Sequence, residues 1–210
     1  MIKLYYFDFN FWRLDICRLT LSYKNIPYEY IKIPRADWIK IKKQEHFPFG
    51  QLPIMKLNKK IYGQTAAIAR FCAIKADLYE KKNEKSLIID QVLDWANDIT
   101  NKIAPSIREK NKAKQLKLRK LFVKNHLNLW FGFLEDLLKN SSNKKKFFTD
   151  KFSLADIVAW RLIYWFYSGK LDGIDKNFIK KFSLLNQYFN QISKIKRFNK
   201  LKEFKQIMTN

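Results

Sequence analysis

The sequence predicts a chain in two parts, a small α/β unit over residues 1–79 and an all-α unit over residues 86–210. Three observations lead there. The first third alternates short β-rich runs with helical periodicity in the order β-α-β-α-β-β-α. No convincing strand follows residue 79, and a charged stretch over residues 79–85 separates the two regimes. The composition suits a packed chain: 210 residues are 47% hydrophobic and 29% charged. A chain of this length buries roughly 70% of its unfolded surface, so each part has material for a core. Intrinsic disorder is excluded as the main state, and five Gly with five Pro exclude collagen-like and linker-like classes.

The elements follow in order. Residues 2–9 are rich in aromatic and β-branched side chains, as a buried strand requires. Residues 14–24 place Leu14, Cys17 and Leu21 on one helical face, with Ile16 and Leu19 beside it, and Pro27 ends the run. Residues 28–33 alternate as a strand, and 36–43 form a short amphipathic helix. After the Pro48-Phe49-Gly50 loop, strands over 53–57 and 60–62 are joined by Asn58-Lys59, and a helix covers 64–78. In the second part, residues 86–108 carry Leu87, Ile88, Val92, Leu93, Ala96, Ile99 and Ile103 at helical spacing. Residues 112–139 read as one long amphipathic helix, ended by Asn140-Ser141-Ser142-Asn143 and a solvated Lys144-Lys145-Lys146 loop. Residues 154–168 are apolar all round, which marks a central buried helix, and helices over 177–194 and 200–208 complete the set.

Charge and cysteine usage bound the function. Lys and Arg number 42 against 19 Asp and Glu, a net charge of +23. Such a balance favours weak, salt-dependent contact with polyanions or anionic membranes. It equally fits a chain-wide enrichment of Lys, Asn and Ile, because Lys predominates and the basic residues are spread along the chain. Two cysteines exclude a disulfide scaffold, and their separation argues against a metal site. No run approaches the length of a membrane span, and Met1-Ile2-Lys3-Leu4 lacks the order of a signal peptide. A cytoplasmic protein is expected.

The turn at Gln51-Leu52-Pro53-Ile54 opens the third strand. In cis, Leu52–Pro53 would turn the Leu52 N–H and C=O outward, where an extended peptide can pair with them. In trans, Pro53 would start an ordinary edge strand. A Pro at the start of the third strand of a β-α-β-α-β-β-α unit is the thioredoxin-like arrangement. Gln64 and Thr65 stand at the next strand-to-helix junction, where free helix N–H groups favour a carboxylate and the Thr hydroxyl adds a bond. The same residues serve as a plain helix cap.

These segments together resemble the cytosolic glutathione transferases, and most closely the sigma class, which includes the glutathione-dependent prostaglandin D synthases. The resemblance rests on Leu4-Tyr5-Tyr6-Phe7, Ala36-Asp37-Trp38, Pro48-Phe49-Gly50-Gln51-Leu52-Pro53-Ile54 and Gln64-Thr65-Ala66-Ala67-Ile68-Ala69-Arg70. In the helical half, Ser153-Leu154-Ala155-Asp156 resembles the capping box of the family's core helix. The resemblance implies a thioredoxin-like glutathione-binding domain over 1–79 and a helical domain over 86–210 that supplies a hydrophobic acceptor site. It implies reduced glutathione as co-substrate, small hydrophobic electrophiles as acceptors, and a homodimer. Tyr6 would stabilise the thiolate, with Tyr5 the substitute if the register slips, and Arg13 would lie near the sulfur. Trp38 and Lys42 would meet the glycine end of the tripeptide. Gln51, Leu52 and Pro53 would pair with its cysteinyl backbone, and Gln64 and Thr65 with the γ-glutamyl carboxylate. Asp98 of the partner subunit would meet the γ-glutamyl amine. No metal is expected, because Asn97 replaces an acidic position of the metal-binding members.

The chain departs from the pattern after the first strand. Asp8-Phe9-Asn10-Phe11-Trp12 carries one extra residue before Arg13, no Gly, and bulky aromatics. Either Phe11 and Trp12 line an apolar acceptor pocket together with Ile99 and Ile103, or they fill it and leave a non-catalytic binding module. Tyr164 and Trp165 read as core, His46 and His126 as isolated histidines, and Cys17 and Cys72 as packing residues.

Overall fold

A computed structural model describes residues 1–44, 47–80, 83–141, 143 and 146–209, with the side chains of residues 43, 44 and 83 outside that description. His46, Ser142, Lys144 and Lys145, and part of the expected 79–85 linker, fall outside the described residues. The chain divides into two compact units, Met1–Glu80 with Ile195–Asn210, and Lys81–Lys194.

The first unit is built on a four-stranded sheet in the order β2-β1-β3-β4, from β1 (Ile2–Phe7), β2 (Tyr28–Ile33), β3 (Ile54–Leu57) and β4 (Lys60–Gly63). β1 and β2 run parallel, and the other two pairings are antiparallel. Strand alternation sends Ile2, Leu4 and Tyr6 to one buried face. Helices α1 (Trp12–Tyr23) and α3 (Thr65–Lys75) pack against each other, each with a buried apolar side that includes Cys17 or Cys72. Tyr5 points the other way, into a cluster of Ile33, Phe47 and Ile54 that is joined by Trp38 and Ile41 of α2 (Trp38–Gln44). The strand expected over 2–9 stops at Phe7. The Phe9 amide bonds back to the Phe7 carbonyl at 2.8 Å, a three-residue turn that takes the chain off the sheet.

Ile195–Asn210, expected within the helical domain, pack on this first unit as α9 (Lys196–Asn199) and α10 (Lys202–Thr209). The reason is polar as well as apolar. Phe204 and Ile207 are buried, the Tyr28 hydroxyl donates to Glu203 at 2.6 Å, and Arg197 Nε donates to the Tyr23 carbonyl at 2.6 Å. Burial and the Glu203 hydrogen bond push the Tyr28 hydroxyl up to about 12.

The second unit is helical: α4 (Asn83–Arg108), α5 (Lys112–Phe122), α6 (Asn128–Lys139), α7 (Leu154–Tyr167) and α8 (Ser183–Ser193). The single helix expected over 112–139 is continuous but carries a π turn at Val123–Leu127, and the helix expected from residue 177 begins with a 3-10 turn, Phe178–Lys181. Among the described residues no helix is long and apolar enough to cross a membrane. α7 is the core helix, buried without interruption from Leu154 to Ile163. Its first turn is held by Asp156, which accepts from the Ser153 amide at 2.8 Å, the Phe148 amide at 3.2 Å and the Tyr188 hydroxyl at 2.7 Å. One carboxylate thus fastens the helix start, the preceding loop and α8.

Two outcomes follow from Asp156. Asp156→Ala strands four buried donors, the Ser153 hydroxyl among them, and we expect a loss of about 3 kcal/mol or more in urea unfolding. Burial outweighs these hydrogen bonds and raises the Asp156 carboxyl to about 6. The folded state therefore holds this proton where the unfolded chain has released it. Stability should fall as pH rises from about 4 to about 6, by roughly 3 kcal/mol at most. Unfolding midpoints across that window, compared with Asp156→Asn, isolate this contribution; parallel pH profiles for the two proteins would refute it.

Candidate active site

The site begins with strand register. Tyr5 pairs with Ile54, and Ile54 pairs with Gly63, so β3 begins and β4 ends on one row, which β1 crosses two residues before its own end at Phe7. The next residues beyond that row are Tyr6, Pro53 and Gln64. β2 ends at the same edge, with Ile33 paired to Phe7, and leads to Trp38. Residues distant in sequence are thereby set along one side of a single unit.

The backbone at this edge is unusual. Leu52–Pro53 is cis. Among the described residues, no turn or loop hydrogen bond between backbone groups uses the Leu52 amide or carbonyl. Gln64 caps α3 at φ 73° and ψ 122°, a conformation that non-glycine residues seldom adopt and that proteins retain mainly at functional sites. Its carbonyl takes the first helical bond from Ile68 at 3.1 Å, which leaves the amides of the first turn, beginning at buried Thr65, directed past the helix end. Gln51 is exposed beside them.

Aromatic rings surround Tyr6. Phe7 and Phe9 meet it edge-on at 5.5 and 5.8 Å and stack on each other at 5.7 Å. Phe9 continues to Phe11, and Phe7 to Trp38. Tyr6 itself is 5% exposed. Arg13 joins this group. Burial lowers its guanidinium from the usual value, and the neighbouring Tyr6 hydroxyl opposes that shift. One expectation is corrected here: Trp12 does not line an open pocket but is fully buried, with Arg13 over its ring at 5.1 Å. The outward aromatic of the loop is Phe9, 46% exposed, with Phe11 half-buried. The first helical turn draws Trp12 inward, because α1 starts at that residue.

The loop is anchored by residues that sequence patterns did not single out. Asn10 donates to the Gln206 carbonyl at 3.1 Å and accepts from Arg18 at 3.3 Å. Buried Arg18 also reaches Gln206 Oε1 at 2.8 Å and Asp15 at 3.4 Å, and lies 4.6 Å over the Tyr30 ring. On the opposite flank, Lys42 is exposed on α2 and its stem runs against Gly50. A Cβ at Gly50 would stand 2.7 Å from Lys42 Cε, and its φ of 54° also favours glycine.

The remaining expected residues lie on α4 of the second unit. Asp98 is exposed, while Ile99 and Ile103 are fully buried. Asn97 gives its amide to the Leu93 carbonyl at 3.2 Å, and among the described residues no three His, Cys, Asp or Glu side chains converge as metal ligands. Cys17 and Cys72 are buried free thiols, and burial with the neighbouring Cys72 pushes the Cys17 thiol up, away from reactivity. A groove of about 520 Å³ on the first unit borders this edge at Gln64, and its lining, which includes Phe49, Met55, Leu57 and Phe71, has no charged side chain among the described residues.

Known proteins share this architecture. Residues 15–73 match the family model described as glutathione S-transferase, N-terminal domain, and residues 97–206 the one described as glutathione S-transferase, C-terminal domain. The hematopoietic prostaglandin D synthase of Rattus norvegicus is 29% identical over 78% of this chain and 75% of its own length. A glutathione S-transferase of Dirofilaria immitis is 30% identical over 83% of this chain and 79% of its own. The structure of prostaglandin synthase D of Nilaparvata lugens superposes with a TM-score of 0.79 at 26% identity, covering 95% of each chain.

The anchor of the aromatic loop is open to test. Arg18→Met leaves Asp15, 1% exposed, without its cation. We expect a loss of about 3 kcal/mol in denaturant unfolding, together with faster amide exchange at residues 8–11. Unchanged exchange there would show that the loop holds itself.

Proposed function

The chain belongs to the glutathione S-transferase family, and on that premise we propose that it joins reduced glutathione to small hydrophobic electrophiles, or isomerises or reduces them with glutathione as co-substrate. The observation that carries this reading is the single sheet edge along which Tyr6, Pro53 and Gln64 follow one another, with Arg13 beside Tyr6.

The chemistry follows from what each group offers. A free thiol titrates at roughly 8.5, so only a few per cent is thiolate at neutral pH. The Tyr6 hydroxyl donates a hydrogen bond to the sulfur, which favours the anion, and the Arg13 cation lowers the thiol further. The γ-glutamyl carboxylate accepts from the first-turn amides of α3 and the Thr65 hydroxyl, beside Gln64. The cysteinyl backbone pairs with Leu52 next to Gln51, in the manner of an added strand. Trp38 flanks the glycine end, and Lys42 meets its carboxylate. In a homodimer, Asp98 of the partner subunit takes the γ-glutamyl amine. The thiolate sulfur then bonds to the electrophilic carbon. A leaving group departs with its electron pair or, in addition to a conjugated carbonyl, the pair moves to oxygen and a proton comes from solvent. Phe9 and Phe11 offer an apolar wall for the acceptor. The cytoplasm, with its glutathione pool, is the fitting compartment.

A second reading keeps the tripeptide site and gives up the chemistry. It draws on the near-complete burial of Tyr6 beneath Phe7 and Phe9.

Calorimetric titration with reduced glutathione should show saturable binding that Gln64→Ala abolishes or weakens at least tenfold. No binding by the wild-type chain would end both readings. With an aromatic halide as electrophile, Tyr6→Phe should lower kcat/KM by about 10- to 100-fold, the worth of one hydrogen bond to an anion. Arg13→Ala should move the pH–rate profile upward. Binding without turnover in the wild type, whatever the electrophile, would select the second reading.

A further inference from the structure

On the second unit, we propose that the exposed side of α5, continued into the following π turn, docks on the anionic headgroups of a lipid bilayer. Between residues 110 and 134 the chain carries Lys and Arg but no Asp or Glu, as it also does over residues 46–76 and 176–202. Two of these cations are already engaged. Arg119 is buried and donates to Ser106 at 2.9 Å and to the Asp172 carbonyl at 2.8 Å, and Lys112 pairs with the Asp172 carboxylate. The nearest other carboxylate, Glu109, accepts from the Asn111 amide at 2.8 Å. Lys110, Lys114, Lys117, Lys120 and Lys124 are exposed and form no ion pair among the described residues. Lys117, Lys120 and Lys124 follow at three- and four-residue spacing, so they form one stripe along the helix.

The apolar side chains on this face decide between anionic partners. Leu116 and Leu121 flank the stripe at 38% and 46% exposure, and Ile107 at the end of α4 is 45% exposed. A duplex nucleic acid gives exposed leucines nothing to bury against, and lysine lacks the forked geometry that reads phosphates and bases. A bilayer interface takes both: leucine enters the acyl boundary, and lysine stems lie along it with the ammonium among headgroups. The opposite side of α5 is committed to the unit's own core through Arg119 and Phe122, so the docking is peripheral. It is independent of the transferase chemistry and has its own assay.

The experiment is flotation of the full chain with vesicles of phosphatidylcholine alone or mixed with phosphatidylserine. Binding is expected only to the mixed vesicles, weakening as salt is raised. The triple variant Lys117→Glu, Lys120→Glu, Lys124→Glu should weaken it at least a hundredfold, since each lysine near an anionic surface is worth about fivefold in binding. A control of equal net charge, Lys196→Glu, Lys200→Glu, Lys202→Glu, should retain most of it, with circular dichroism confirming that both variants fold. Leu116→Ser with Leu121→Ser should weaken vesicle binding and leave retention on heparin unchanged. Equal losses in both charge variants would show that only the overall charge acts, and would overturn the proposal. So would vesicle binding indifferent to the leucine changes, or tighter binding to duplex DNA at matched salt, either of which would make the stripe a general polyanion surface.

Discussion

The pairing of Tyr5 with Ile54, and of Ile54 with Gly63, is the constraint on which the rest of the first unit depends. Strand side chains alternate, so a slip of one residue in β1 would exchange the faces of Tyr5 and Tyr6. The hydroxyl now beside Arg13 would be carried to the other side of the sheet, into the cluster of Ile33 and Phe47. The same slip would move Pro53 and Gln64 off the common edge. Register is fixed because both faces are packed: Leu4 and Ile2 have no exposed surface to speak of on one side, and Tyr5 is packed on the other. Core packing thus determines which tyrosine stands beside Arg13.

Around that edge the chain uses aromatic mass where small turns usually serve. The loop after β1 is closed by the Phe9–Phe7 backbone bond, stacked by its own rings, and tied by Asn10 to Gln206. Each contact restricts the loop from a different direction. On the proposed reading, an apolar wall next to a polar hydroxyl would favour acceptors with a flat hydrocarbon face, because stacking adds to simple burial.

What the sequence revealed depended on the range of the interaction. The four strands and the helices of the first unit follow from local alternation and from Pro27 and Pro53. The capping box at Ser153 and Asp156 was likewise legible, because its partners are three residues apart. The π turn at Val123–Leu127 was not, since the apolar spacing of residues 112–139 suits a plain α-helix nearly as well. Trp12 was misplaced for a related reason: an aromatic next to a loop serves a pocket or a core equally, and only the start of α1 decides. The Arg18–Gln206 bond joins residues 188 apart, and no periodicity or spacing rule reaches that far.

That bond, with Glu203 on Tyr28, has a consequence for the order in which the molecule is made. Ile195–Asn210 leave the ribosome only after the whole of Lys81–Lys194, yet they complete the unit that begins at Met1. During synthesis the sheet must wait without the Glu203 and Gln206 contacts of Tyr28 and Arg18 while the helical unit, continuous in sequence, is free to fold first. A chain ordinarily matures from its beginning; here the unit translated first is completed only by residues that follow the whole helical unit.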